Sequence, residues 1–240
     1  MRNNWTIIIP AAGKSRRFKY HKSKTLFKFK KKTLIEHIVH KVRNEIKNII
    51  IIANADNVVE IKRIFKNNLN NNIKIIVQKK IKGMALAIQN GLAVTKTKFF
   101  CVIWADQIGL TRSTISKTIN SHQKNKFSVT FPICFRENPY VYITLKNDFF
   151  LNKITQSRES SLKKNTGYTD CGLFCCDTNF IKKKLNNYIK EKKIITKKTK
   201  EYDFLLSLNL LAKKNKIKTL KTLNKNDTIG INQVKDLKKI

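Results

Sequence analysis

Three observations in the sequence predict an α/β fold: a Rossmann-like, doubly wound, mostly parallel sheet with added mixed strands in the C-terminal half. First, the apolar runs of the first 105 residues are continuous rather than alternating: WTIIIP (5–10), NIIIIA (48–53), IKIIV (73–77) and FFCVIWA (99–105). Strands covered on both faces read this way. Second, helix-like segments separate them: TLIEHIVHKVRN (33–44), NVVEIKRIFKNNL (57–69) and GMALAIQNGLAV (83–94). Third, no Gly/Ser/Pro-rich linker interrupts the 240 residues. Residues 1–240 are therefore expected to form one domain, with a change of pattern between residues 1–125 and 126–240.

The second half has a different rhythm. FSVTFPICF (127–135) and YVYITLK (140–146) read as strands joined by the turn residues Glu137-Asn138-Pro139. CGLFCCD (171–177) is a further strand. Asp177 then caps the helix TNFIKKKLNNYIKEK, with Thr178 as the other cap candidate. A helix is expected within 198–215, a short strand at 217–223, and a last helix after TIGIN (228–232).

Composition excludes several classes. No run approaches the roughly 18–20 apolar residues of a membrane span. The N-terminal apolar stretch is short and runs into basic residues, unlike a secretory signal. A net charge of +36 points at first to nucleic acid. The excess, however, is scattered Lys rather than Arg. Lys, Asn and Ile together exceed two-fifths of the chain, the bias expected of AT-rich coding. No specific nucleic-acid or membrane partner is predicted. The five cysteines, Cys101, Cys134, Cys171, Cys175 and Cys176, have neither zinc nor disulfide spacing. Buried free thiols in a cytoplasmic protein fit them best.

Chemistry concentrates first at IIIPAAGKSRRF (7–18), where a strand ends on small residues and cations follow. It is not a P-loop, because the glycine that motif needs would stand where Ile8 is. A dinucleotide fingerprint fails as well, for want of its other glycines. The backbone of Ala11, Ala12 and Gly13 is bare enough to approach a phosphate or a base. Lys14, Arg16, Arg17 and Lys24 supply charge for oxygens. A second stretch, QKKIKGMALAI (78–88), pairs Gln78 with Gly83. A carboxamide there matches the acceptor–donor edge of a pyrimidine. In the third, FCVIWADQ, an apolar strand ends in Asp106, a position outside the carboxyl end of a strand that suits Mg²⁺. The fourth is TIGINQVKDL, carrying Asn232.

Together, AAGKSRRF followed by SKTL, the Gln-to-Gly spacing, the AD pair and the terminal GIN resemble the nucleotidyltransferase superfamily. The similarity is to its sugar-1-phosphate group, which includes the uridylyltransferase domain of the bifunctional N-acetylglucosamine-1-phosphate enzyme and glucose-1-phosphate thymidylyltransferases. The resemblance implies an NTP, UTP or dTTP, condensed with a sugar 1-phosphate to give NDP-sugar and pyrophosphate, without a covalent intermediate. It implies that Ala11, Ala12, Gly13, Gln78 and Gly83 hold the nucleotide. By the same resemblance Arg17 and Lys24 act on the phosphates, Asp106 and Asn232 hold Mg²⁺, and Gln156, Asp170 and Gly172 meet the sugar. Ser15 stands where many members have Gly, Ser23 where Pro precedes the lysine, and Gln156 where Glu is usual. No hexapeptide repeat follows, so acetyl transfer is not expected. Other branches of the superfamily, making CDP-alcohols or a molybdopterin dinucleotide, share the first motif. A basic nucleic-acid binder and a non-catalytic sensor are the readings outside catalysis.

Overall fold

The computed structural model describes residues 2–13, 18, 23–68, 72–125, 127–160, 165–213, 216–231, 233 and 236. Its elements are β1 (Trp5–Pro10), β2 (Lys28–Phe29), β3 (Lys32–Thr33), α1 (Leu34–Val42), β4 (Asn48–Ala53), α2 (Val58–Ile64), β5 (Ile73–Val77), α3 (Met84–Val94), β6 (Phe99–Ile103), α4 (Arg112–Lys124), β7 (Val129–Glu137), β8 (Val141–Leu145), β9 (Leu151–Gln156), β10 (Thr166–Asp170), β11 (Leu173–Asp177), α5 (Thr178–Lys190), α6 (Phe204–Ala212) and β12 (Ile217–Lys221).

The expected α/β sheet is present. Strands run in the order β5-β4-β1-β6-β11-β7-β10-β8-β9, with β12 beside β7. β5, β4, β1 and β6 are parallel, in registers such as Ile7↔Ile49 and Ile7↔Cys101. β11 turns antiparallel to β6, and β7, β10, β8 and β9 continue the mixed half. Each central strand feeds two cores, because successive side chains point to opposite faces. Ile7 and Ile9 join α1 and Ile115 and Ile119 of α4 on one face. Ile8 joins α3, α5 and α6 on the other. Cys175 and Cys176 split between the cores in the same way, and all five cysteines are buried and free.

The chain winds outward from β1 through β4 to β5, then returns to place β6 on β1's other side. The switch in winding direction therefore falls between β1 and β6. An open α/β sheet has its ligand crevice at the carboxyl ends of such a pair.

Local chemistry sets the boundaries. Thr33 and Glu36 form a reciprocal capping box, so α1 starts at Leu34. Asp177 caps α5 by accepting from Phe180 N–H at 2.8 Å, as expected. The β6–β11 pairing continues one residue past Ile103 through Trp104 N–H, which donates to Gly172 O at 3.0 Å. α2 ends at Ile64, where a 3₁₀ turn at Lys66–Asn68 replaces the rest of the expected helix. The strand expected over 217–223 ends at Lys221. α4, β9 and β10 are additions that the sequence reading did not place. The expected C-terminal helix falls largely outside the described residues. Among the described residues, no helix is long and apolar enough to cross a membrane.

One buried titratable group belongs to this scaffold. His122 of α4 packs against Trp5 and Phe99, with its Nδ1 3.0 Å from Thr130 Oγ1. Burial lowers its pKa from 6.5 to about 4, against a smaller opposing pull from Asp177. Between those values the unfolded chain binds the proton and the folded one does not, so acidification favours unfolding. Denaturant midpoints of wild type and His122→Gln should reveal this. The stability advantage of wild type over the variant should shrink by about 2 to 3 kcal/mol between pH 7 and pH 4.5. Parallel pH curves for the two proteins would remove His122 as the cause.

Candidate active site

The loop after β1 is held from below by two buried asparagines that follow β4. Asn57 Nδ2 donates to Ala11 O at 2.8 Å, and Asn54 Nδ2 donates to Ala12 O at 2.9 Å. The two lock each other, Asn54 N–H to Asn57 Oδ1 and Asn57 N–H to Asn54 Oδ1 at 2.9 and 3.0 Å. Asn57 Nδ2 also reaches Ser23 Oγ at 3.1 Å, beside Lys24. Ala11 and Ala12 are buried, and Ala11 N–H belongs to the sheet through Ile52 O at 2.8 Å. Gly13 stands at the open end, with nothing within 4 Å of where a side chain would project. Lys14, Arg16 and Arg17 lie outside the described residues.

Across the switch point, Asp106 follows β6. Its Oδ2 accepts from Lys24 Nζ at 2.5 Å, and both side chains are largely buried. The pair joins two of the predicted positions, 82 residues apart, in one place. The C-terminal segment returns to the same turn. Ile231 N–H donates to Asp106 O at 2.9 Å, and Gly109 N–H donates to Ile229 O at 3.0 Å. Gln107 Nε2 donates to Asp227 O at 2.8 Å. Asn232 itself lies outside the described residues, but its chain neighbour is bonded to the backbone of Asp106.

Asp227, which the sequence reading passed over, is the core of this junction. It is fully buried and accepts from Thr111 N–H at 2.8 Å, Thr114 Oγ1 at 2.6 Å and Thr222 Oγ1 at 2.9 Å. Lys41 of α1 donates to Ile108 O and to Leu110 O. Burial lowers the Lys41 pKa, with the charge of Asp227 acting in the opposite direction.

In the same parallel set, Gln78 follows β5 directly. It is buried, and its Nε2 donates to Lys80 O at 3.0 Å, which fixes the amide in its loop. Gly83 is the N-cap of α3 with φ 110°. A Cβ there would stand 2.3 Å from Tyr202 O. The same Tyr202 accepts from Ala85 N–H at 3.0 Å and donates to Lys82 O at 2.8 Å. The glycine thus makes room for the protein's own backbone at the start of α3.

On the far side, Asp170 ends β10. Its Oδ1 accepts from Gly172 N–H at 2.9 Å, across a turn in which Gly172 takes φ 70°. Desolvation raises its pKa to about 6, opposed by bonds from the Gly172 backbone and the Trp104 side chain; the negative charge of Asp106 pushes the same way as desolvation. Gln156 ends β9. It is buried, and its Nε2 donates to Asp203 Oδ2 at 3.0 Å.

The structure thus gathers Ala11–Gly13, Lys24, Asp106, Asp170 and Gly172 around the β1/β6 switch point. Gln78 with Gly83 and Gln156 stand at the flanks. The residues missed from sequence are Asn54, Asn57, Gln107, Asp203 and Asp227. Each of the five has at least one bond to a residue 40 or more positions away, so no local pattern marks these contacts. A cavity of about 360 Å³ lined by Lys32, His40, Arg43 and Lys47 lies elsewhere, by Ile49 and Ile73 at the starting ends of β4 and β5.

A carboxylate paired with an ammonium, with a second carboxylate close enough to feel its charge, is a donor set that suits a hard cation with oxygen ligands. Among the described residues there is no group of three or more His, Cys, Asp or Glu placed to hold a metal ion.

The fold is Rossmann-like, with its crevice at the β1/β6 switch point. Residues 7–164 match the MobA-like NTP transferase domain, and the chain belongs to that family. It is 28% identical over 240 residues to the bifunctional protein GlmU of Buchnera aphidicola subsp. Acyrthosiphon pisum, covering 98% of this chain and 50% of that protein. It is 24% identical over 235 residues to the GlmU of Acetivibrio thermocellus, covering 94% of this chain and 48% of that one. The chain therefore spans about half the length of the curated relatives it matches. Among solved structures it resembles a putative glucose-1-phosphate thymidylyltransferase from Bacillus anthracis in complex with a sucrose (TM-score 0.77, 16% identity, 98% and 93% coverage). A 4-diphosphocytidyl-2C-methyl-D-erythritol synthase from Anaerococcus prevotii is also similar (TM-score 0.67, 17% identity, 98% and 95% coverage). At those identities the likeness is one of fold.

The contact at Gly83 yields a direct test. Gly83→Ala adds both a left-handed-region penalty and a clash with the Tyr202 backbone. Strain of this kind costs about 1–3 kcal/mol per residue, so the variant's thermal midpoint should fall. An unchanged midpoint would mean that the 201–202 segment does not pack there.

Proposed function

We propose that this chain condenses UTP or dTTP with a sugar 1-phosphate, releasing pyrophosphate and forming an NDP-sugar. In this reading residues 1–125 and 126–240 are the nucleotide-binding and sugar-phosphate-binding halves of one domain. The observation that carries the proposal is the meeting of Lys24, Asp106 and the backbone of Ile231 at one strand end, on the β1/β6 switch point. Three of the four motif stretches converge there, and the fourth, with Gln78, ends β5 in the same parallel set.

The chemistry needs little beyond positioning. A sugar 1-phosphate oxygen, anionic at neutral pH, attacks the α-phosphorus. The bond from that phosphorus to the bridging oxygen breaks, and pyrophosphate leaves with the electron pair. No general base is required, so the barrier is repulsion between anions and charge growing on the α-phosphate. Lys24 offers its ammonium to the attacking phosphate, and Arg17 holds the leaving pyrophosphate. Asp106 and Asn232 are the residues for Mg²⁺, which when bound neutralises phosphate charge beyond the reach of side chains. Uracil and thymine carry an N3–H donor between two carbonyl acceptors. Gln78, its Nε2 turned toward Lys80 O, has its oxygen on the other branch of the amide to receive that donor. Asp170, Gly172 and Gln156 meet the sugar.

A second reading, motivated by the fold shared with the 4-diphosphocytidyl-2C-methyl-D-erythritol synthase, has CTP in place of UTP and a phosphorylated alcohol as acceptor. Pyrophosphate release across ATP, GTP, CTP, UTP and dTTP, with sugar 1-phosphates and methylerythritol phosphate as acceptors, separates the two. UTP or dTTP with a sugar 1-phosphate should give the highest kcat/KM. Preference for a purine nucleotide would remove the role given to Gln78, and preference for CTP would favour the alternative.

Asp106→Ala removes one charge-stabilising group. Losses of about 3–4 kcal/mol are typical, a rate ~10²–10³-fold lower. The variant should keep its circular dichroism spectrum while losing turnover. Turnover at the wild-type rate would refute the metal assignment.

A further inference from the structure

Gln156 is not held by the sheet alone. Its Nε2 donates to Asp203 Oδ2 at 3.0 Å, and Arg158 Nη2 donates to that same oxygen at 3.3 Å. The other oxygen of Asp203 caps α6, accepting from Leu206 N–H at 3.0 Å. Asp203 is 5% exposed. Both of its oxygens are already acceptors, one for the Leu206 N–H at the start of α6 and the other for the Arg158 guanidinium. An ionised carboxylate accepts hydrogen bonds and cannot donate. It must therefore face the NH₂ branch of the Gln156 amide, because facing the carbonyl branch would set oxygen against oxygen. Only one orientation of the amide pairs a donor with that acceptor. The remaining branch of the planar amide is the oxygen.

The sheet carries that amide to the sugar side. Gln156 pairs with Val141 in β8, and β8 pairs with β10 at Ile143↔Tyr168. Continued along the strands, the second register sets Val141 opposite Asp170. Gln156 and Asp170 therefore lie on the same sheet face two strand spacings apart, about 10 Å.

We propose that Asp203 is a positioning residue that decides what position 156 recognises. By fixing the Gln156 amide it makes the site present an acceptor oxygen, as a glutamate would, but without a negative charge beside a substrate phosphate. The class of group recognised is a hydrogen-bond donor, a hydroxyl or amide N–H of the sugar, rather than a carbonyl or carboxylate. The inference rests on the sugar 1-phosphate reading for its substrate but not for its geometry.

A donor–acceptor swap tests it. Gln156→Glu sets two carboxylates face to face. Gln156→Glu with Asp203→Asn restores one donor facing one acceptor and keeps a carboxylate for Arg158. Gln156→Glu alone should raise KM for the sugar 1-phosphate by about tenfold while leaving KM for the NTP within a few-fold, and the double variant should recover most of that loss. Urea midpoints without substrate should follow the same order, down in the single variant and back up in the double. Recovery absent from both KM and midpoint would overturn the proposal, as would a Gln156→Glu protein indistinguishable from wild type. If wild type turns over no sugar 1-phosphate at all, the catalytic reading falls. The midpoint series then still decides the orientation, and the order single below double equal to wild type upholds it.

Discussion

Everything in the cleft depends on a closure between parts of the chain more than a hundred residues apart. β6 ends in a turn that is only a short loop by itself. It becomes a fixed platform because the 226–231 segment lies along it through the Asp106–Ile231, Gly109–Ile229 and Gln107–Asp227 bonds. Loop-closure entropy opposes such a contact, although it grows slowly with length. What opposes it more is the desolvation of Asp227, a fully buried carboxylate. Three donors and the start of α4 at Thr111 stabilise that charge, and Lys41 adds an opposite charge on the other side of the turn. A carboxylate with this many partners ties the turn after β6, the start of α4 and Thr222 together, and each donor displaced leaves a buried acceptor with fewer bonds. Position 106 is therefore rigid for reasons lying outside the motif that contains it.

Close approach is the second condition. The Asn226 carbonyl passes so near Gly109 that a Cβ there would stand 2.1 Å from its oxygen. The same logic operates at Gly83, where the backbone of residue 202 fills the space a side chain would need. These two glycines connect the C-terminal third to the first half of the chain, one beside Asp106 and one at the start of α3. In both cases the contact that requires glycine comes from the protein's own backbone. The family motif is thus a packing constraint as well as a place for a ligand to approach.

The parallel half of the fold was legible because its strands are runs of Ile and Val bounded by polar residues. The observed bounds of β1, β4 and β5 coincide with the apolar runs. α4 was not legible. Its buried face is Thr114, Ile115, Thr118, Ile119 and His122, so two threonines and a histidine occupy core positions and dilute the apolar period. Thr118 Oγ1 returns its hydrogen bond to Thr114 O, which makes that substitution tolerable inside a helix. β9 and β10 were hidden for a different reason. Their burial does not alternate, because β9 lies at the sheet's edge and β10 carries Gly167 and the polar Thr166, Thr169 and Asp170. Of the site, the residues that touch one another near the strand ends were readable as motifs. Asn54, Asn57, Asp203 and Asp227 were not, because each is defined by a partner that only the tertiary fold supplies.

The charge of the molecule takes on a different meaning beside this geometry. A surplus of 36 positive charges attracts any polyanion to the surface, and its effect falls as salt screens it. Among the described residues, two cations on this side of the sheet are paired. Lys24 is held by Asp106 at 2.5 Å, and Arg158 by Asp203 at 3.3 Å. A partly buried pair of this kind contributes little net stability, because desolvation of both ions offsets their attraction. Its consequence is functional on the reading advanced above. A phosphate alone would have to pull Lys24 from its carboxylate and leave Asp106 uncompensated, and a divalent cation alone would have to displace the ammonium against its own charge. A phosphate arriving with its cation supplies a partner to each side at once. The ion pair is then a filter that favours the metal–nucleotide complex over either component, a selectivity the scattered surface lysines do not have.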